Sequence, residues 1–290
     1  MKYKFSGHET FQCRHFWLKK GYDFLLKKGD FNDNEALIEL GVGKNMISAI
    51  KHWLKAFQVI DSESSEILPL GHYLFGEDGK DPYLEDIGSL NLLHFKLVEN
   101  LSQSSIYQIV FEDFRKKRIS LDFSSDQLFD FVTKKLILEG EAFSEKSLKN
   151  DIKVFLKTYQ TSTKKNIKSI EDDYSSILID LSLIDELEGV SESNSQVYQM
   201  RYDERSDLNY LIFFYAILTT FTSQSSISVE DIQREVSDKF LCNREGTEEK
   251  LLELENEGYI VYKQDAGRKE VQMKDSLDEL QILNQYYGRV

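Results

Sequence analysis

The stretch FSGHETFQCRHFW, residues 5–17, places His8, Glu9, Cys13 and His15 close together. Imidazole, carboxylate and thiol groups bind metals, move protons and attack carbonyls. For a metal, His8, Cys13 and His15 would be the ligands. Zinc sites, however, usually draw on paired Cys or His residues at short spacing, and no second pair of that kind occurs. For a nucleophile, Cys13 lies beside Arg14 and near two histidines, which favours the thiolate. Yet no acidic residue is spaced to orient a base for it. A helix entrance accounts for the same residues. Ser6-Gly7-His8-Glu9 has the capping-box form, with Ser6 as cap and Glu9 reaching back to its amide. Thr10 is a rival cap one turn later, and Glu9 near a helix N-terminus is favourable with the dipole. The expectation is a structural or binding cluster, with no catalytic residue, no metal and no cofactor. A metal-dependent enzyme built on His8, Glu9, Cys13 and His15 is the alternative.

A second group of residues is spaced for reading nucleic acid. NDNEALIELGVGKNMISAIKHWLKAFQVI, residues 32–60, has the form of a helix-turn-helix. Asn32 or Asp33 caps a short helix that turns Ala36, Leu37 and Leu40 inward. Gly41 makes the turn, Val42 plugs the corner, and Ile47, Ile50 and Leu54 form the buried stripe of a second helix. Lys44, Asn45, Ser48, Lys51 and His52 are then left towards solvent. Lys44, Asn45 and Ser48 lie at the N-terminal turns, the part that reaches base edges. Lys51 and Lys55 lie further along and would meet the backbone, with Arg14, Lys19 and Lys20 extending the phosphate contact. SESSEILPLGHYLF, which follows, alternates weakly and suits a β-hairpin wing. The competing reading is a helix that packs against a protein partner with its lysines solvated.

Other motifs are excluded or explained. There is no Walker loop and no G-x-G-x-x-G fingerprint, and GVGK is too short to cradle phosphate. His72 and His94, within apolar runs, are expected to be satisfied core or interface histidines. Asp81, Glu85 and Asp86 in DPYLED lack the spacing of a calcium loop and fit a turn ahead of a helix.

These elements sit at the front of a mostly helical chain of 290 residues with only two prolines, Pro69 and Pro82. An N-terminal winged helix-turn-helix is expected over residues 1–80 and a central helical bundle over 81–225. The central segments are IGSLNLLHFKLVENL, IYQIVFEDFRKK, DQLFDFVTKKLILEG and SLKNDIKVFLKTY, with TSTKKNIKS and GVSESNSQ as exposed loops. A C-terminal winged helix is expected over 226–290. SVEDIQREVSDKF is its first helix, and Asn243 caps NREGTEEKLLELENEG, the second. YIVYKQ and KEVQMK are two strands about a turn. That second helix carries Glu245, Glu248, Glu249, Glu253, Glu255 and Glu257, and would be repelled from a DNA groove despite Lys263, Arg268 and Lys269 nearby. It reads as a protein-interaction module.

The formal net charge of −14 repels phosphate on average, but it is unevenly spread. Residues 1–60 hold ten basic and six acidic residues, a local +4 that leaves −18 on the rest. No apolar run is long enough to span a bilayer, and the N-terminus has no signal-peptide core. Cys13 and Cys242 are far apart and read as free thiols of a cytoplasmic protein.

FSGHETFQCRHFWLKKGYDF, LGVGKNMISAIKHWLKAF and DPYLEDIGSLNLLHF resemble an uncharacterised bacterial family, domain of unknown function 4007. The resemblance covers most of the chain and is strongest over residues 5–95. Genes of that family often lie beside sulfur-handling genes of DNA phosphorothioation and related phage-defence islands. The resemblance therefore implies a DNA-modification or defence context, and it supplies no catalytic residues. The combined expectation is a non-catalytic DNA-binding component or regulator. Its partners would be double-stranded DNA, with sulfur-modified DNA a candidate, and proteins of the same system. A homodimer is compatible with half-site reading. A pure protein–protein adaptor is the rival class.

Overall fold

The structure is a computed structural model, described over residues 3–118, 120–160, 176–190, 195–222, 224–265, 267–274 and 278–288. The expected loop TSTKKNIKS lies outside those residues. The chain divides into two compact units, Met1–Arg201 and Tyr202–Val290. This partition has one boundary, at a different place from the expected limits at 80 and 225.

The first unit begins with an irregular segment, not a helix. Ser6 and Glu9 both have left-handed backbone, φ 61° and 58°, and no helix starts at Ser6 or Thr10. The capping box is therefore not formed. The Ser6 amide instead donates to the Asp151 carboxylate at 2.8 Å. Helix α1 (Trp17–Leu26) buries Trp17, Leu18, Tyr22 and Phe24, while Leu25 is only half-buried. It crosses α3 (Lys44–Ala56) closely: a Cβ on Gly21 would stand 2.6 Å from Leu54 Cδ1 and 2.9 Å from Ile50 Cγ2.

Between them, α2 (Glu35–Leu40) starts after Asn34 with no side-chain cap, so neither Asn32 nor Asp33 serves. Ala36 and Leu40 turn inward, while Leu37 remains partly exposed. Gly41 takes the left-handed conformation at φ 60° that ends the helix. In α3 the buried side is wider than expected. Ile47, Ile50 and Leu54 are joined by Ala49, His52 and Trp53, so His52 faces the interior and not solvent. Trp53, one residue on, anchors the core by donating its indole N–H to Phe11 O at 3.1 Å.

The expected hairpin wing is reduced to one antiparallel bridge, Ile60 to Ile67. Pro69 then opens α4 (Pro69–Phe75), which takes up residues expected as strand.

The central segments are helical as expected. In α5 (Ile87–Glu99), Asp86 caps the helix by accepting from Ser89 N at 3.0 Å. Asp81 accepts from the amides of Glu85 and Asp86. DPYLED is thus a helix-opening turn. α6 (Ser105–Gln108) runs into a π-helical turn at Ile109–Phe114. α7 (Ser125–Leu138) has a complete capping box between Ser124 and Gln127, and Ser144 caps α8 (Glu145–Tyr159). Trp53, Tyr107, Phe111, Phe155 and Tyr159 form the aromatic heart of this unit. His94 is fully buried in it, bonded to Tyr159 Oη at 2.8 Å. His72 is exposed, yet satisfied by Tyr22 Oη at 3.0 Å.

A small antiparallel sheet departs from the expected all-helical centre. β1 (Asp122–Ser124), β2 (Ile184–Val190) and β3 (Gln196–Met200) pair in the order β1-β3-β2. Part of GVSESNSQ, expected as loop, belongs to its strands.

In the second unit, α9 (Tyr210–Thr220) is apolar almost throughout and buried over Leu211–Ile217. β4 (Ser226–Ser228), α10 (Val229–Glu235), a short 3-10 turn, α11 (Arg244–Asn256), β5 (Ile260–Asp265), β6 (Arg268–Met273) and α12 (Glu279–Tyr287) follow. The sheet order is β4-β6-β5. Asn243 caps α11 as expected, accepting from Gly246 N at 2.8 Å. Among the described residues no helix is long and apolar enough to cross a membrane.

Candidate nucleic-acid interface

The first turn of α3 is open. Gly43 precedes it without a side-chain cap, and Lys44, Asn45 and Ser48 are exposed. An uncapped helix start offers free amide donors and the positive end of the dipole to an anion. Lys44 and Lys51 make no ion pair among the described residues. Lys55 is different, because its ammonium donates to Ser62 O at 2.7 Å. Its pKa is lowered, first by burial and then by Lys51 and Lys4. Burial is the main cause, the neighbouring cations add to it, and the Asp61 carboxylate opposes it.

The auxiliary cations are less available. Lys19 pairs with Asp23 at 2.6 Å. Lys20 donates to Leu40 O at 3.0 Å, capping the end of α2. The Arg14 guanidinium lies over the rings of Phe11 and Trp17 at 5.7 and 5.6 Å.

The N-terminal cluster is not brought together as a site. Cys13 is fully buried, and burial pushes its thiol well above the ordinary value, so it stays protonated. Glu9 is exposed. His15 is half-buried against Phe16, at 5.4 Å between ring centres. Among the described residues no three His, Cys, Asp or Glu side chains are placed to hold a metal.

What does converge is a different set: His8, His52 and Asp151, all buried. His8 Nε2 comes within 3.2 Å of Asp151 Oδ1, off the line of a hydrogen bond, and neither ring nitrogen of His8 has a hydrogen-bond partner among the described residues. The two imidazoles meet edge to face at 5.7 Å. No sequence signal links Asp151 to His8, because α8 delivers it from far along the chain.

A mainly α protein with two small antiparallel sheets and a lysine-bearing helix start describes the class. The chain belongs to the family described as "Protein of unknown function (DUF4007)", which matches residues 5–287. Its fold is shared with two crystal structures of SspB, one of them magnesium ion-bound. Each is 24% identical and covers 98% of this chain and 88% of SspB, with TM-scores of 0.83 and 0.82. No curated protein matches the chain.

Proposed function

We propose that this chain is a non-catalytic DNA-binding component of a bacterial DNA-modification system of the phosphorothioation type, or of a related phage-defence system. The observation that carries the reading is the start of α3. Lys44, Asn45 and Ser48 stand exposed there after the Gly41 turn, and Lys51 lies behind them with no ion pair among the described residues. In this reading α2 and α3 are the helix-turn-helix. Asn45 and Ser48 address base edges while the lysines meet phosphate. The fold shared with SspB supports the context, as does the genomic setting that the family resemblance implies. A magnesium cage built from protein side chains does not fit the described residues, and the reading has no metal-dependent step.

A second reading, for the second unit, rests on α11. There Arg244 and Lys269 are drawn to Glu248 at 3.3 and 2.6 Å, leaving a surface rich in carboxylates. We assign that face to a protein partner.

Gel-shift titration against duplex DNA at several salt concentrations tests the proposal. Affinity should fall steeply with salt, and Lys44→Glu with Lys51→Glu should abolish the complex. No complex at low salt would leave the adaptor class standing instead, and a complex that survives the double reversal would move the DNA contact away from α3.

A further inference from the structure

A cleft of about 610 Å³ opens in the first unit between the start of α7, one face of α8 and strands β2 and β3. Its base and its rim differ in chemistry. Ile152 and Leu156 of α8 are buried in its base, and two half-exposed aromatic residues, Phe129 and Tyr198, border it. Gln160 and Gln196 add amides, and Asp126 and Glu186 add carboxylates. Lys149, Lys153 and Lys157 line the same cleft from α8.

The lysines recur every fourth residue, so they form one stripe with a rise of about 6 Å per step. That step is of the order of the separation between successive phosphates in an extended strand. Lys153 makes no hydrogen bond or ion pair among the described residues. Lys149 is 4.0 Å from Glu145, with both side chains well exposed, and its ammonium sits 5.0 Å from the centre of the Phe129 ring. A second hollow, of about 260 Å³, shares Lys153 and Lys157 and is bordered by Thr10, Asn150 and Arg14. The two lysines thus stand between two depressions, with the Arg14 side chain on the far side.

A simple anion has no use for an apolar, aromatic base, and Asp126 and Glu186 would repel it from the interior. A purely apolar ligand would leave the lysine stripe without a role. A nucleotide satisfies both parts. Its flat base would occupy the apolar interior, the amides and carboxylates would receive the base's polar edge, and phosphate would meet the lysines. Carboxylates accept hydrogen bonds, so a base with an exocyclic amino group fits best. Paired and stacked bases cannot enter such a cleft, which requires an unpaired strand.

We propose that this cleft binds single-stranded nucleic acid, with one base inserted beside Phe129 and Tyr198 and the flanking phosphates on Lys149, Lys153 and Lys157. The proposal rests on the nucleic-acid reading above but uses a surface separate from the start of α3.

Fluorescence anisotropy of the full chain with labelled oligodeoxycytidylate, and separately with duplex DNA, tests it. Lys153→Glu with Lys157→Glu should weaken strand binding by at least about tenfold and leave duplex binding unchanged. Lys153→Arg with Lys157→Arg should retain the strand. Lys44→Glu with Lys51→Glu should do the reverse of the first pair, losing duplex and keeping strand, so failure at α3 is read separately from failure here. Photocrosslinking of a strand carrying 5-iododeoxycytidine should mark Phe129 or Tyr198. The proposal is overturned if the wild type binds no strand, if the charge reversal leaves strand binding intact, or if crosslinks fall only elsewhere. Equal affinity for free dCMP would also overturn it, since the ligand would then be a mononucleotide.

Discussion

The buried polar cluster beneath the N-terminal segment shows how single residues are constrained by partners distant in sequence. Gly7 has φ 112°, and a Cβ there would stand 2.7 Å from His52 Nδ1. A side chain at position 7 would collide with the imidazole. His52 is buried, and its pKa is held well below 6.5, first by burial and then by His8, Lys4 and Lys55. The Asp151 carboxylate approaches His8. The unfolded chain takes up a proton on His52 near pH 6.5, whereas the folded chain resists it until lower pH. Within that window the unfolded state binds more protons, so His52's contribution is intact above about pH 6.5 and lost as pH falls below it. The urea midpoint of the wild type should therefore drop more between about pH 7 and pH 5 than that of His52→Gln, which has no proton to gain. Parallel pH profiles would contradict this placement. None of it is legible in the sequence. A narrow apolar stripe on α3 leaves His52 on the outer side of the helix, and the segment that covers His52 is not a helix.

At the scale of elements, legibility follows the strength of the local signal. The Ile47, Ile50 and Leu54 stripe of α3, the Gly41 turn and the Asn243 cap are legible, because periodicity and cap chemistry act within a few residues. The sheet β1-β3-β2 is not. β1 spans only three residues, and β2 carries Asp185, Glu186 and Glu188, so neither displays a clear apolar alternation. Its pairing is long-range, Phe123 opposite Tyr198, and no local pattern announces it. The hairpin wing fails for a related reason: Pro69 can end a strand or open a helix, and tertiary packing chooses the helix. Two glycines separate local from tertiary demands. A Cβ on Gly41 would meet nothing within 4 Å, so Gly41→Ala should cost only the left-handed backbone strain, about 1 kcal/mol. Gly21→Ala drives a methyl into Leu54 and Ile50 and should cost more, about 1–3 kcal/mol. Urea unfolding of the two variants checks the order. If Gly41→Ala were the more damaging, the turn would be doing something beyond ending α2.

At the scale of the whole molecule, both units carry net negative charge, and residues 1–60 of the first hold a local basic excess. Tyr202–Val290 carries ten basic against eighteen acidic residues. Its interior has its own sources: α9 packs on α11 and α12, and Ile227 and Val271 are buried from the sheet. Cys242, Phe240 and Leu241 are enclosed next to Arg205, whose guanidinium donates to Phe240 O at 2.6 Å and pairs with Asp207. A segment that supplies its own apolar core, caps and sheet is expected to fold when expressed alone. Residues 202–290 should accordingly show a single cooperative unfolding transition by circular dichroism. Surplus carboxylates, many of them on α11, oppose any approach to a polyanion, and the cations of the β5–β6 strands are partly drawn to Glu248. This fragment should thus fail to shift duplex DNA even at low salt, while the full chain, under the proposed reading, should shift it through α3. A folded fragment that binds duplex with a steep salt dependence would move the DNA-contacting surface out of the first unit. An unfolded one would mean that the two units depend on each other for stability.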